Sequence, residues 1–183
     1  MSEKDNQKVY FGDKKVSKDI KKDGVEEIFT KVSDNYDLMN DMMSVGMHRL
    51  WKRSFIDTAN IQKNHVCLDL AAGTGEIAKL IAQKVSNKSI YLCDQNKEMI
   101  EKAKERSLNE GFFNKCHFDV SSAEKLPFKD DYFDIVYSFG VLHHAKNTMK
   151  CISEATRVLK PGGILKIMVY SNFSATGIML WLI

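Results

Sequence analysis

The stretch Val66-Cys67-Leu68-Asp69-Leu70-Ala71-Ala72-Gly73-Thr74-Gly75-Glu76-Ile77-Ala78 narrows the folds open to this chain more than any other. An apolar run closes in an acid, turns through two glycines and opens into a helical pattern, which reads as strand, glycine loop and helix. Glycine tolerates positive φ and has no side chain, so the turn can be tight and a ligand can approach the backbone N–H groups where the helix begins. A nucleotide-type pocket follows, against the alternative that the glycines serve only the geometry of an ordinary strand-to-helix turn. The spacing Gly73-x-Gly75-x-x-Ala78 also fits the dinucleotide fingerprint, so at this point NAD stands beside any other adenosine-bearing ligand.

From residue 65 short apolar runs alternate with helix-length segments, the signature of a parallel sheet built from βαβ units. The pattern predicts strands near 66–70, 89–93, 116–120, 133–138 and 163–169. Helices are expected near 75–84, 96–109 and 147–159, the last stopped by Lys160-Pro161-Gly162-Gly163. Before the sheet, residues 1–20 read as a polar arm and 21–60 as a helical lid, leaving 61–183 as the ligand-binding core. Within the lid, Val25, Ile28, Phe29 and Val32 repeat at helical spacing. Ser33-Asp34-Asn35 can cap a second helix over Tyr36–Met43, and a third runs from His48 through Trp51 to Ile56. The methionines of this region are adaptable apolar filler, suited to plain core or to a greasy substrate.

A chain of 183 residues has enough sequence for one well-buried core. Its hydrophobic fraction of 44%, charged fraction of 28% and two prolines exclude a disordered chain. The net charge of +3 is mild. Its excess lies in Lys14, Lys15, Lys18, Lys21 and Lys22, a solvated face that also admits a peripheral contact with an anionic membrane surface. Acids are interspersed with the bases and no nucleic-acid motif is present, so no nucleic-acid partner is expected. Cys67, Cys93, Cys116 and Cys151 lack C-x-x-C spacing and read as buried free thiols. With a charged amino terminus and no apolar run of about 20 residues, the expected setting is the reducing cytoplasm.

The second strand ends in Asp94, about 20 residues beyond the glycine loop, where an acid in this architecture accepts both ribose hydroxyls. The same residue could also cap the helix that begins at Lys97, a role compatible with the first. Ligands bind outside the carboxyl ends of such strands, so Asp69, Asp94, Ser122 and Ser138 should converge on one crevice. Ser121-Ser122-Ala123-Glu124-Lys125-Leu126-Pro127-Phe128, after the third strand, is placed to line an adenine. After the fourth, Ser138-Phe139-Gly140-Val141-Leu142-His143-His144 brings two histidines to the same crevice. Histidine titrates near neutral pH, which makes either a candidate general base, with a surface or capping role as the alternative. No Cys, His, Asp or Glu has the spacing to complete a metal site with them, so no metal is expected.

Together, Asp69-Leu70-Ala71-Ala72-Gly73-Thr74-Gly75, Asp94, Ala123-Glu124-Lys125-Leu126-Pro127-Phe128 and Leu159-Lys160-Pro161-Gly162-Gly163 resemble a class I S-adenosylmethionine-dependent methyltransferase. Tyr10-Phe11-Gly12, Tyr36-Asp37-Leu38-Met39-Asn40-Asp41-Met42-Met43-Ser44 and Gly46-Met47-His48-Arg49-Leu50-Trp51-Lys52-Arg53 resemble, more narrowly, the ubiquinone/menaquinone biosynthesis C-methyltransferase (UbiE-type) family. The likeness runs from about residue 10 to 170. It implies an α/β fold: a Rossmann-like sheet with helices on both faces and an amino-terminal helical lid. It also implies S-adenosyl-L-methionine as cofactor, held by Asp69, Gly73, Thr74, Gly75, Asp94, Ser122, Ala123 and Ser138. The implied acceptor is a small, lipophilic quinol, with His143 or His144 as base and Tyr36 and Asp37 orienting the ring.

Three departures stand out from the family pattern. Ser122 occupies a place usually held by Asn or Asp, at the loss of one adenine hydrogen bond. The family's Ser-Phe-Gly-x-Arg-Asn is Ser138-Phe139-Gly140-Val141-Leu142-His143 in this chain, which removes an arginine thought to help deprotonate the substrate. After strand five the sequence gives only Ser171–Ile183, where the family continues through a helix and an antiparallel strand pair. The expectation is a truncated product, a fragment, or a sheet edge covered by a partner such as a second copy. Other readings stay open: another small acceptor methylated at O or N, a non-catalytic cofactor-binding module, and an NAD oxidoreductase.

Overall fold

A computed structural model of the chain describes residues 8–11, 14–17 and 47–169. The lid helices expected at 25–32 and 36–43, Tyr36 and Asp37 with them, and the apolar tail at 178–183 lie outside these residues. The elements in chain order are β1 (Lys8–Phe11), β2 (Lys14–Ser17), α1 (Met47–Asp57), β3 (Cys67–Leu70), α2 (Glu76–Ala82) and β4 (Ile90–Asp94). They continue with α3 (Lys97–Asn109), β5 (Cys116–Val120), β6 (Phe133–Phe139), α4 (Thr148–Arg157) and β7 (Leu159–Met168).

Five strands form one parallel sheet in the order β5-β4-β3-β6-β7. Its strands read as near-continuous apolar runs because both faces are covered. Alternation divides their side chains between two cores, with one break in β6, where Phe133 and Ile135 face opposite sides across an irregularity in the register. Cys67, Ile90, Leu92, Cys116, Ile135 and Tyr137 join a core with α1, α2 and α3 on one face. Leu68, Leu70, Cys93, Phe133 and Val136 join a second core with Cys151 and Ala155 of α4 on the other. Leu126, Phe128 and Tyr132, from the segment before β6, complete that second core. The four cysteines are free and buried as expected; burial raises the Cys67, Cys93 and Cys116 thiols to about 12, which keeps them protonated and inert. Among the described residues no helix is long and apolar enough to cross a membrane.

Two local findings differ from the sequence reading. Residues assigned to a polar arm contain an antiparallel pair, β1 with β2, in a register from Lys8↔Ser17 to Phe11↔Lys14. Its sequence signal is the Gly12-Asp13 dipeptide between two strand-like runs, which hairpins favour. In addition, Lys160-Pro161-Gly162-Gly163 is not a turn outside the sheet. β7 begins at Leu159, opposite Phe133, and Ile164 pairs with Ile135, so the intervening residues form a bulge within the strand. Gly162 takes φ +77°, and a Cβ at Gly163 would lie 2.8 Å from Leu159 Cγ and 2.9 Å from the Asp134 carbonyl. Glycine is therefore required at 163 by close approach, not by the need to end a helix.

Candidate functional site

The strand register brings the carboxyl ends together. Asp69 pairs with Leu92 and Tyr137, and Asp94 with Val120, so the residues after β3, β4, β5 and β6 emerge along one edge. There the chain turns sharply through Ala71 at φ 58°, Gly73 at 54° and Gly75 at 80°. A Cβ on Gly75 would press to 3.2 Å from Ala103 Cβ and 3.3 Å from Leu92 Cδ2, whereas one on Gly73 would meet nothing within 4 Å. Gly75 lets α3 pack close, and Gly73 leaves the loop open toward the crevice. The two glycines do different work.

Asp94 organises the loop rather than standing apart from it. Its Oδ2 accepts the Gly73 N–H at 2.9 Å and its Oδ1 accepts the Asn96 N–H at 2.9 Å. Asn96, not Asp94, caps α3, accepting from Glu98 at 2.8 Å and Met99 at 3.3 Å, so the capping role for the acid falls away. The Asp94 carbonyl accepts the Ser121 N–H at 3.0 Å, which draws the segment after β5 alongside. Ser122 and Ala123 are half-buried there, and Ser122 Oγ accepts the Glu124 N–H at 3.2 Å.

Asp69 faces inward. It is 2% exposed, and its Oδ2 accepts the Ala78 N–H at 3.0 Å, fixing the first turn of α2. Burial raises its carboxyl to about 7; the Ala78 N–H opposes this, the Asp94 charge adds to it and Lys52 opposes it. Thr74 is also buried, and its Oγ1 accepts from Arg106 Nη1 of α3 at 3.2 Å. Ser138 is fully buried at the end of β6, and its Oγ has no hydrogen-bond partner. A buried hydroxyl without a partner at a crevice edge is a group that a ligand can satisfy. His143 and His144 lie in a short 3-10 turn, Leu142–His144, with ring centroids 3.9 Å apart; His143 is half-buried and His144 exposed. Among the described residues no group of three or more His, Cys, Asp or Glu side chains could hold a metal ion.

Sequence reading assigned no role to several residues that shape this site. Lys52 of α1 is 9% exposed, is paired with Glu76 at the start of α2, and places its Nζ 5.8 Å from the centre of the Phe139 ring. Arg157 fastens the segment after β5: it donates to the carbonyls of Phe128 at 2.9 Å and Leu126 at 3.1 Å, and to Asp130 at 2.7 Å. Glu154 accepts from Arg157 Nη2 at 2.7 Å and from the Leu126 N–H at 2.9 Å; chiefly through Arg157, its carboxyl is held down at about 2. Glu124 Oε1 accepts the Asn147 N–H at 3.1 Å. The one signal in the sequence was the i,i+3 spacing of Glu154 and Arg157.

Residues 14–180 match the ubiE/COQ5 methyltransferase family. The chain is 41% identical over 168 residues to "Ubiquinone/menaquinone biosynthesis C-methyltransferase UbiE" of Neisseria meningitidis serogroup C, covering 91% of this chain and 67% of that protein. To the protein of the same name in Rickettsia rickettsii it is 44% identical over 167 residues, covering 88% and 66%. It thus spans about two thirds of the length of these curated relatives. Its fold superposes on that of a SAM dependent methyltransferase from Aquifex aeolicus with a TM-score of 0.61 at 22% identity, covering 67% of this chain and 65% of the other. The sheet order and covered faces are those of a Rossmann-like class I methyltransferase.

Proposed function

Because the chain belongs to the ubiE/COQ5 methyltransferase family, we infer that it is an S-adenosylmethionine-dependent methyltransferase acting on a ring carbon of a prenylated quinol precursor in ubiquinone or menaquinone biosynthesis. The observation that carries the reading is the family match over residues 14–180, which runs through both the lid sequence and the glycine loop. The residues present suit the cofactor: Gly73 leaves open space where a side chain would stand, and the buried Ser138 hydroxyl lacks a partner. Asp94 would hold the ribose, Ser122 and Ala123 the adenine, and Gly73, Thr74 and Gly75 the span between. S-adenosylmethionine supplies a methyl group already activated on a sulfonium. The protein's task is to align an acceptor carbon with it and exclude water.

On this reading His143 or His144 takes the proton of the acceptor hydroxyl, which pushes electron density onto the neighbouring ring carbon. Tyr36 and Asp37, outside the described residues, orient the ring. The protein works in the cytoplasm, at the membrane face from which a prenylated quinol is drawn. Methyl transfer from labelled S-adenosylmethionine to a short-chain prenylated quinol, beside a panel of O- and N-nucleophiles, tests the assignment. The expected product carries the label on a ring carbon. Label only on oxygen or nitrogen would move the chain to another small acceptor, a reading favoured by Val141-Leu142-His143-His144 in place of the family's arginine. Replacement of the true base by Gln should slow turnover by about 10²–10⁴. A loss below tenfold for both histidines would end that role.

A further inference from the structure

The pair Lys52–Glu76 is placed where a structural ion pair is hard to justify. Lys52 is 9% exposed and Glu76 half-buried, and taking an ammonium out of water costs several kcal/mol. An apolar pair would join α1 to α2 with less penalty. The two residues come from elements far apart in sequence, and Glu76 directly follows Gly75 of the loop. On the other side of Lys52 stands Phe139, the neighbour of the unpartnered Ser138. The pair therefore lies between the glycine loop and the end of β6, on the rim of the crevice. Asp69 is buried and bound to the Ala78 N–H, whereas Glu76 stands half-buried at the start of α2.

We propose that Lys52 and Glu76 together receive the α-amino-acid end of the cofactor, Lys52 taking its carboxylate and Glu76 its ammonium. The proposal rests on the methyltransferase reading and adds to it a second binding locus, specific for a zwitterion. The chemistry is complementary: each member of the ion pair faces the opposite charge on a ligand end that carries the same two charges. Neither charge is left without a counter-charge before or after binding, which is the condition for keeping such groups buried. Lys52 also gives α1 a direct part in cofactor binding, although the glycine loop lies after it in the chain.

The test compares two ligands that share a nucleoside and a sulfur. S-adenosylhomocysteine has the amino-acid end; 5′-methylthioadenosine lacks it. Binding of each to the full chain is measured by calorimetry for wild type, Lys52→Met and Glu76→Gln. S-adenosylhomocysteine affinity should fall about ten- to a hundredfold in each variant, as expected for loss of a charge-assisted hydrogen bond, while methylthioadenosine affinity stays within about twofold. Retained methylthioadenosine binding also shows that the variants are folded. Equal losses for both ligands would make the pair a structural tether and overturn the proposal, as would unchanged S-adenosylhomocysteine binding. A wild-type chain that binds neither ligand overturns the methyltransferase reading and this proposal with it.

Discussion

Two stretches frame the crevice, and they are held in different ways. Ala71–Ile77 is shaped by its own backbone: positive φ at Ala71, Gly73 and Gly75, and one carboxylate, Asp94, bound to the Gly73 N–H. Ser121–Phe128 has one small turn of its own, in which the Ser122 Oγ and carbonyl accept the Glu124 and Lys125 N–H groups. The rest of its shape comes from contacts outside it: Glu154 and Arg157 side chains hold the Leu126 and Phe128 backbone, and the segment's own Glu124 accepts the Asn147 N–H. The first stretch is a local structure that the ligand meets ready-made; the second is a segment clamped onto a helix on the other face of the sheet.

The largest effect should come from breaking the first stretch at its tightest point. Gly75→Val adds side-chain atoms against Ala103 and Leu92 and forces a β-branched residue to φ 80°. The expected loss is about 3–5 kcal/mol in urea unfolding, with cofactor binding abolished. Next comes the clamp. Arg157→Met removes charged hydrogen bonds to two carbonyls and two carboxylates, and should cost about 2–3 kcal/mol. Hydrogen exchange should then rise over 122–130 and remain unchanged over 71–77. Exchange rising equally in both stretches would show that they are not independently held.

A smaller effect tests the floor beneath the loop. Asp69 has a folded pKa of about 7 against about 3.9 in an unfolded chain, so the folded state keeps its proton over the higher range. The stability linked to that proton is therefore present below about pH 4 and is lost as pH rises toward 7. Asp69→Asn, which still accepts the Ala78 N–H, should remove the decline, with wild type falling relative to the variant by on the order of 2 kcal/mol between pH 5 and 7. Parallel pH profiles for the two proteins would contradict the raised carboxyl. Smallest in stability is Gly73→Ala, about 1 kcal/mol for positive φ alone, since nothing stands within 4 Å. Its cofactor affinity should fall by more than its stability does, in contrast to Gly75.

The same contrast explains what could be read from the sequence. The glycine loop, Asp94 and the strand-ending positions are legible because their causes lie within a few residues: an apolar run, a turn residue, an acid at the strand end. Asn96 rather than Asp94 as the α3 cap was a matter of two residues along the chain. Lys52 and Arg157 were not legible, since each matters through partners 24 to 31 residues away, and neither helix pattern marks a basic side chain as buried or clamping. The bulge in β7 was hidden for a related reason. Pro-Gly-Gly signals the end of a helix equally well whether the strand starts before it or after it, and only the pairing of Leu159 with Phe133 decides.

That bulge works as a keyway. Parallel strands can in principle slide past one another in steps of two residues, but only a residue without a Cβ fits between Leu159 and the Asp134 carbonyl, so β7 seats on β6 in a single position. The far end of β7 is then set in height as well. There the Met168 carbonyl accepts the Gly140 N–H at 2.9 Å, just ahead of the turn that carries His143 and His144. The elevation of the histidine turn above the sheet is thus gauged by a glycine at the opposite end of the strand.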